Sequence, residues 1–407
     1  MNQPTEPLLP YTSEPRHTRR RSQRVGELAT VSLLSAMLAA GGTWGAITMT
    51  SDDPSSPGGQ DSDRQTSATA SADAQPVSTA AKQAPDWNAV TDEVAPSVVA
   101  IGVRGQEAGG EGSGVILDDN GHVVTNNHVV SGAGENAKIT VTLEDGATYA
   151  ATVAGTDPST DIAVITITDP PKDLHPISVG SSDGLATGDP VMAVGNPLGL
   201  AGTVTTGIVS ALDRPVTTAP EEESQGSPFA PQEQSAPVVT SAIQTSAAVN
   251  PGNSGGALVD ASGRLFGINS SIASVGGSEG QSGSIGIGFA IPVDEATWIA
   301  EQLIEDGTAE HAFLGVTPTD GQATEGSATH SGAKIVSVRE GSPAADAGLE
   351  KGDLVTAIDD SSVASAESLV GLVHARTIDS TATLTVIRDG REKALDVTLG
   401  TAPRADT

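Results

Sequence analysis

The chain of 407 residues contains no cysteine, and this absence excludes several kinds of site. Without thiols there is no disulfide framework, no cysteine nucleophile and no cysteine-ligated metal. Aromatic residues make up only 2% of the sequence, whereas glycine (47) and proline (25) are plentiful. Many valine, isoleucine and threonine residues between glycine-rich turns indicate a mainly β protein with many short strands.

Basic residues are also scarce, with 20 Lys and Arg against 51 Asp and Glu, for a net charge of −31. So acidic a surface repels phosphate backbones, and we therefore expect no nucleic-acid partner. The simplest role for this charge is solubility. Nothing in the sequence predicts a metal site or a cofactor.

The N-terminal part predicts a tail, an anchor and a tether. Residues 1–27 are polar, and five arginines cluster before an uncharged run from Leu28 to Met49. A helix rising about 1.5 Å per residue over this run can cross a hydrocarbon core of about 30 Å. The arginines predict that the N-terminus stays in the cytoplasm and that the following domains are exported across the cell membrane. Residues 50–85 lack large apolar side chains and predict a disordered linker.

Two other interpretations of the apolar run remain open. A cleaved signal peptide needs a nearby small-x-small site, but the Ala-x-Ala sequences around Ala68 to Ala74 lie far downstream. A buried core helix is not normally flanked by a basic tail and a disordered linker. The sequence therefore favours a single transmembrane helix over residues 28–49.

A first folded domain is predicted over residues 86–308. Short β segments separated by turns such as Asp119-Asn120-Gly121 favour a barrel or sandwich over βαβ units. The predicted segments are Ser97–Val103, Gly114–Leu117, His122–Thr125, Ile139–Leu143, Ile162–Ile167, Val191–Val194, Thr203–Ser210, Val238–Ile243, Ala257–Val259, Leu265–Ser270 and Gly286–Ile291.

The strongest chemical signal is the run from Asn250 to Gly256, NPGNSGG, with Ser254 at its centre. A serine hydroxyl becomes a good nucleophile only when a base takes its proton, and glycines allow the tight turn that presents it. An ordinary glycine-rich hairpin turn is the alternative. The same letters also fit the nucleophile elbow of α/β-hydrolases, but that motif requires a helix after the turn and a histidine downstream. Here Ala257–Val259 reads as a strand followed by a turn and another strand.

The base and the acid must then come from upstream. His122 and His128 are the candidate bases, and His128 is favoured because it follows the predicted strand, where a side chain can project into a cleft. Asp157 and Asp161 are the candidate acids. Asp157 precedes proline and is typical of a turn, whereas Asp161 stands directly before a buried strand. Each residue alone is more simply structural, but the order His, Asp, Ser in one β domain is a known triad arrangement.

At this point the chain resembles the HtrA (Deg) family of chymotrypsin-like serine proteases that carry a PDZ domain. The resemblance covers about residues 90–400. The matching runs are TNNHVV (Thr125–Val130), DIAV (Asp161–Val164), GNPLGL (Gly195–Leu200), TGIVSA (Thr206–Ala211), NPGNSGGAL (Asn250–Leu258) and IGFAIP (Ile287–Pro292).

The resemblance implies two six-stranded β-barrels with the active site between them. It makes His128 the general base, Asp161 its orienting acid and Ser254 the nucleophile, with the backbone N–H groups of Gly252 and Ser254 as the oxyanion hole. Asn253 stands where digestive relatives carry an aspartate that pairs with a new N-terminus. The family also implies homotrimers or larger assemblies, and cleavage after small aliphatic residues.

One departure from the family is a long acidic, proline-rich stretch from Asp213 to Pro237, which predicts a mobile insertion that either gates the cleft or is inert.

A second domain is predicted over residues 309–402, after an amphipathic helix from Asp294 to Asp306. Its strand and turn pattern resembles one HtrA-type PDZ domain. The loop made by Phe313, Leu314, Gly315 and Val316 would bind a peptide C-terminus through its backbone N–H groups. An ordinary hairpin strand is the alternative.

The sequence thus predicts a serine endopeptidase that cleaves exported, misfolded or signalling proteins at the extracytoplasmic face of the membrane. A chaperone-like or PDZ peptide-binding protein that acts without proteolysis is the second hypothesis. A passive membrane scaffold is the third, and the complete triad disfavours both.

Overall fold

The structure, a computed structural model, describes residues 84–105, 109–131, 137–197, 202–218, 238–271 and 286–402. The predicted tail, the transmembrane run and the linker up to residue 83 lie outside these residues. Within the described part of the chain, no helix is both long and apolar enough to cross a bilayer.

The first barrel is closed by six antiparallel strands in the order β1-β2-β3-β6-β5-β4. Alternating valine and isoleucine side chains fill its interior, among them Val99, Ile101, Val123 and Ile165. The strands are β1 Val98–Arg104, β2 Gly109–Ile116, β3 His122–Asn126, β4 Lys138–Thr142, β5 Thr148–Asp157 and β6 Ile162–Ile167.

The second barrel repeats this closure in the order β10-β11-β12-β9-β8-β7. Its core includes Val191, Val209, Ile243 and Leu258. The strands are β7 Pro190–Gly195, β8 Thr203–Thr218, β9 Val238–Thr245, β10 Ala257–Asp260, β11 Leu265–Ser270 and β12 Gly288–Pro292.

Two helices cover a third apolar cluster shared by both barrels. Helix α1 (Trp87–Val94) starts at the Asp86 cap, whose carboxylate accepts from Ala89 N, and buries Val90 and Val94. A short helix α2 (Asn127–Ser131) follows β3, and α3 (Val293–Glu305) follows β12. The apolar face of α3 packs against β5, β6 and β11, so this helix belongs to the barrel core and does more than link two domains.

The C-terminal domain is a separate sheet in the order β14-β15-β16-β18-β19, with a small β13-β20 pair. Helices α4 (Pro343–Asp346) and α5 (Ala366–His374) join its core. Helix α5 also contacts β8 and β9 of the second barrel. Gly371 lies at this contact, where a Cβ added to it would be 3.2 Å from the backbone carbon of Thr240. The strands are β13 Ala312–Phe313, β14 Val316–Glu325, β15 Ala328–Val338, β16 Leu354–Ile358, β17 Ser361–Ser362, β18 Thr381–Arg388, β19 Arg391–Thr398 and β20 Gly400–Thr401.

The mainly β prediction and the two-barrel architecture are confirmed, with several local differences. The sequence did not predict α1 or β5. The stretch predicted as an insertion from Asp213 is partly strand, because Arg214 to Thr218 continue β8 and pair with β9. Residues 219–237 lie outside the described part of the chain.

Candidate active site

The structure brings His128 and Asp161 into direct contact. His128 lies in α2, and its Nδ1 is 3.0 Å from Oδ1 and 2.9 Å from Oδ2 of Asp161. The backbone N–H of His128 also donates to Asp161 Oδ1, at 3.0 Å. Because the carboxylate is buried and accepts from Nδ1, it fixes the tautomer that leaves Nε2 free to take a proton.

Asp161 has an unusual backbone conformation, with φ of 59°. Few residues other than glycine adopt this left-handed region, although aspartate is among those that do. Two donors hold its carbonyl, Asn126 Nδ2 and Asn127 N, each at 3.0 Å. The run that joins β3 to α2 therefore carries His128 and also holds the backbone of Asp161.

Ser254 follows a tight turn at the start of β10. Asn253 N donates to Asn250 O at 3.0 Å, and Gly252 has φ of +94°, which makes this a type II turn with glycine at its third position. Among the residues that the structure describes, the N–H groups of Gly252 and Ser254 donate no hydrogen bond. Both are thus available to an oxyanion.

Ser113 on β2 joins the nucleophile loop to the first barrel. Its N–H donates to Ser254 O at 2.8 Å, and its hydroxyl donates to Gly252 O at 2.7 Å. The carbonyl of Ser113 in turn accepts from Thr125 Oγ1 on β3, at 2.7 Å. These bonds set the position of the serine loop relative to the strand that leads to His128.

Two consecutive serines after the loop contact two of the three predicted residues. Ser270 Oγ donates to Asp161 Oδ2 at 3.4 Å, and Ser271 N donates to Ser254 Oγ at 3.2 Å. The hydroxyls of Ser254 and Ser271 are also hydrogen-bonded to each other. In the described part of the chain His128 Nε2 has no hydrogen-bond partner, so the serine hydroxyl is engaged by Ser271 and not by the histidine.

The residues set aside as base and acid have other partners. His122 Nδ1 lies 2.7 Å from Asp118 Oδ2. Burial raises the pKa of Asp118, but hydrogen bonds from His122 and Asn120 outweigh it and hold that pKa below its ordinary value. Asp157 ends β5, is buried, and lies 3.1 Å from His311 Nε2.

The loop predicted to bind a peptide C-terminus connects β13 to β14. Leu314 O accepts from Ala344 N and Gly315 O accepts from Arg339 N, both at 2.9 Å. Within the described residues the N–H groups of Leu314 and Gly315 donate no hydrogen bond. Gly315 has φ of +84°, and an added Cβ would lie 2.2 Å from Ser342 Cβ. Glycine is therefore required at this position.

Sequence reasoning missed Ser113, Ser270 and Ser271. Ser113 lies in a Gly-Ser-Gly run, Ser270 ends a buried strand, and Ser271 directly follows it. Serine in such places is common, and no spacing along the chain singles these three out. Only the packing of the two barrels reveals their contacts.

Two closed six-stranded barrels followed by a PDZ-like sheet are the architecture of the chymotrypsin-like proteases that carry a PDZ domain. Residues 112–268 match the trypsin-like peptidase domain family, and residues 312–399 match the PDZ domain family. The predicted domain bounds of 86–308 and 309–402 stay predictions.

Individual relatives agree with this class. Serine protease PepD of Mycobacterium tuberculosis is 45% identical over 323 residues, which are 77% of this chain and 66% of that protein. Putative serine protease HhoA of Synechocystis is 37% identical over 306 residues, 72% of this chain and 71% of that protein. The chain spans slightly less than two thirds of PepD and 64% of the chloroplastic Protease Do-like 1 of Arabidopsis thaliana.

A solved structure is also similar to most of this chain. The HtrA-type protease AlgW with tripeptide superposes with a TM-score of 0.55 and 33% identity, covering 79% of this chain and 99% of that one. The chain therefore belongs to the HtrA family of trypsin-like serine proteases.

Proposed function

We propose that this chain is a serine endopeptidase in which His128, Asp161 and Ser254 carry the reaction. The observation that carries the proposal is the buried Asp161 carboxylate bonded to His128 Nδ1, with Ser254 after a glycine turn that Ser113 hydrogen-bonds to the first barrel. In the reaction His128 Nε2 takes the proton of Ser254 Oγ as the oxygen attacks the peptide carbonyl. The N–H groups of Gly252 and Ser254 stabilise the resulting oxyanion.

The test compares two histidines in the same segment. His128→Ala is expected to lower casein cleavage and labelling by a fluorophosphonate probe by at least about 10³-fold. His122→Ala is the matched control, since that side chain pairs with Asp118, and it should retain most of the activity. Equal losses in both variants would contradict the assignment of the base.

Ser254→Ala separates the endopeptidase from a binding protein that acts without proteolysis. We expect this variant to fold, to lose probe labelling and to fail to restore function in cells. Full restoration of cell function by Ser254→Ala would favour the chaperone-like or PDZ peptide-binding role instead.

We further propose that the C-terminal domain binds peptide C-termini at the loop Phe313, Leu314, Gly315 and Val316, and that this binding regulates cleavage. The N–H groups of Leu314 and Gly315, which donate to no other described residue, and the adjacent strand β14 support it, since a carboxylate can accept from the loop while the peptide extends the sheet. Peptides with a free C-terminus should bind, and the same peptides with an amidated C-terminus should not. Equal binding of both would contradict carboxylate capture.

The substrates are proposed to be exported, misfolded or signalling proteins at the extracytoplasmic face of the membrane. The arginine cluster before residues 28–49 supports an anchored chain with a cytoplasmic N-terminus. A relative from Chlamydia pneumoniae, 40% identical over 299 residues, is named a probable periplasmic serine endoprotease. Fractionation of full-length protein before and after carbonate extraction tests the anchor, and cross-linking tests the proposed homotrimer.

A further inference from the structure

The position of Ser271 relative to Ser254 is set by the backbone of the second barrel. Gly255 N donates to Asn269 O and Asn269 N donates to Gly256 O, both at 2.8 Å. This exchange ties the end of β11 to the nucleophile loop, two residues before Ser271. Ser271 therefore lies two residues after a pair of backbone hydrogen bonds to the nucleophile loop, and its short side chain is enough to reach Ser254.

Ser271 makes two hydrogen bonds to the same oxygen. Its backbone N–H donates to Ser254 Oγ at 3.2 Å, and its hydroxyl shares a second hydrogen bond with Ser254 Oγ. A serine hydroxyl offers one proton and two lone pairs. The backbone N–H of Ser271 donates to one lone pair of Ser254 Oγ. The Ser271 hydroxyl either accepts the Ser254 proton or donates to the second lone pair.

Both arrangements oppose attack. If the Ser254 proton points to Ser271, it is unavailable to His128 Nε2. If Ser271 donates instead, both lone pairs of Ser254 are occupied and neither can attack a carbonyl carbon. At least one of the two bonds has to break before the nucleophile reacts.

We propose that Ser271 is a positioning residue that holds the Ser254 hydroxyl away from His128 and thereby slows its reaction in the resting enzyme. The inference rests on the proposed role of Ser254 as the nucleophile. It concerns the Ser271 side chain, since the backbone N–H is present whatever residue stands there.

The neighbouring Ser270 has the opposite relation to the site. Its hydroxyl donates to Asp161 Oδ2, the carboxylate that accepts from His128, and so supports the acid that orients the base. Removing the hydroxyl of Ser270 should lower the rate, whereas removing that of Ser271 should raise it. Removal of the hydroxyl from each of these adjacent serines is therefore expected to change the reaction rate in opposite directions.

The experiment measures fluorophosphonate labelling and casein cleavage by the full-length protein. Ser271→Ala is expected to raise the labelling rate and kcat by about 2- to 12-fold, the range for loss of one hydrogen bond of ordinary net strength, with KM unchanged. Ser271→Thr, which keeps the hydroxyl, should return to the wild-type rate. Ser271→Gly is a second variant without the hydroxyl and should behave like Ser271→Ala.

The control is Ser241→Ala, which removes another buried serine hydroxyl of the second barrel, one with no hydrogen-bond partner among the residues that the structure describes. It should leave the labelling rate unchanged. A wild type that the probe does not label at Ser254 would overturn the proposed function itself. A labelled wild type with Ser271→Ala and Ser271→Gly at or below its rate would overturn only the role of Ser271, as would a change in KM alone.

Discussion

His311 Nε2 lies 3.1 Å from Asp157 Oδ1, so the segment that enters the PDZ domain is hydrogen-bonded to the end of β5 in the first barrel. The same carboxylate accepts from Ser159 N at 3.1 Å and from the hydroxyl of Thr160, the residue before Asp161. One buried aspartate therefore joins the two domains and also shapes the loop that carries the proposed catalytic acid.

We expect this bond to couple the two domains energetically. Asp157→Asn and His311→Ala should each lower the free energy of unfolding by about 1–3 kcal/mol, because each weakens or removes a buried hydrogen bond to a carboxylate. The double variant should lose less than the sum of the two, with a coupling of about 0.5–3 kcal/mol in a denaturant-unfolding cycle. His330→Ala is the control and should have little effect, because this residue of β15 is only half-buried and its side chain is 41% exposed. Strict additivity would argue against a direct interaction.

The carboxyl of Glu295 should make stability depend on pH. This residue of α3 is buried without a hydrogen-bond partner among the described residues, and burial with the nearby charge of Asp157 raises its pKa from 4.5 to about 8. The folded state then keeps a proton that the unfolded state has lost. The contribution of Glu295 to the unfolding free energy therefore falls as pH rises from 4.5 to about 8.

Glu295→Gln removes this titration while keeping the shape of the protonated side chain. The variant should be more stable than wild type at pH 9, on the order of 2–5 kcal/mol, and the difference should shrink toward pH 5. Melting temperatures across this range provide the measurement. Glu301→Gln, on the exposed face of the same helix, should show no such trend, and parallel curves for Glu295→Gln and wild type would refute the shifted pKa.

Gly255 is expected to tolerate no side chain. It has φ of +81°, and an added Cβ would lie 2.2 Å from Ser113 O and 2.3 Å from Thr125 Oγ1. Gly255→Ala should therefore abolish probe labelling or folding. Gly188→Ala is the control because Gly188 has φ of +98° with nothing within 4 Å of the added atom, so only the backbone cost of about 1–2 kcal/mol remains. Similar losses in the two variants would show that backbone conformation alone matters.

Arg388 should be essential to the stability of the PDZ domain. It binds Asp353, which is 1% exposed, through Nε at 2.6 Å and Nη2 at 2.5 Å. Arg388→Met leaves that buried carboxylate unpaired and should cost about 3–5 kcal/mol. Hydrogen exchange of residues 354–358 would report it directly. Arg391→Met, in an exposed position at the start of β19, should leave that exchange unchanged.

The local sequence pattern was sufficient to predict many strands and helices, and the elements that it missed share an identifiable physical reason. Strand β11 was predicted with its observed bounds, because six apolar or small residues lie between clear turns. Strand β5, Thr148–Asp157, was missed because most of its side chains are half-buried or exposed and no alternation marks it. Helix α1 was missed because its eight residues carry only two that are buried.

The sequence by itself determined the β class, the domain order and the choice of His128 over His122 and of Asp161 over Asp157. Short-range signals favour these choices, namely turn residues, strand-length apolar runs and the glycines around Ser254, and the resemblance to the HtrA family supports them. Their catalytic roles stay predictions. Only the tertiary structure decided that Asp161 bonds His128, that Ser113 fixes the serine loop and that Ser271 engages the nucleophile. Such hydrogen bonds join residues far apart along the chain, and barrel closure selects them in a way that no local spacing encodes.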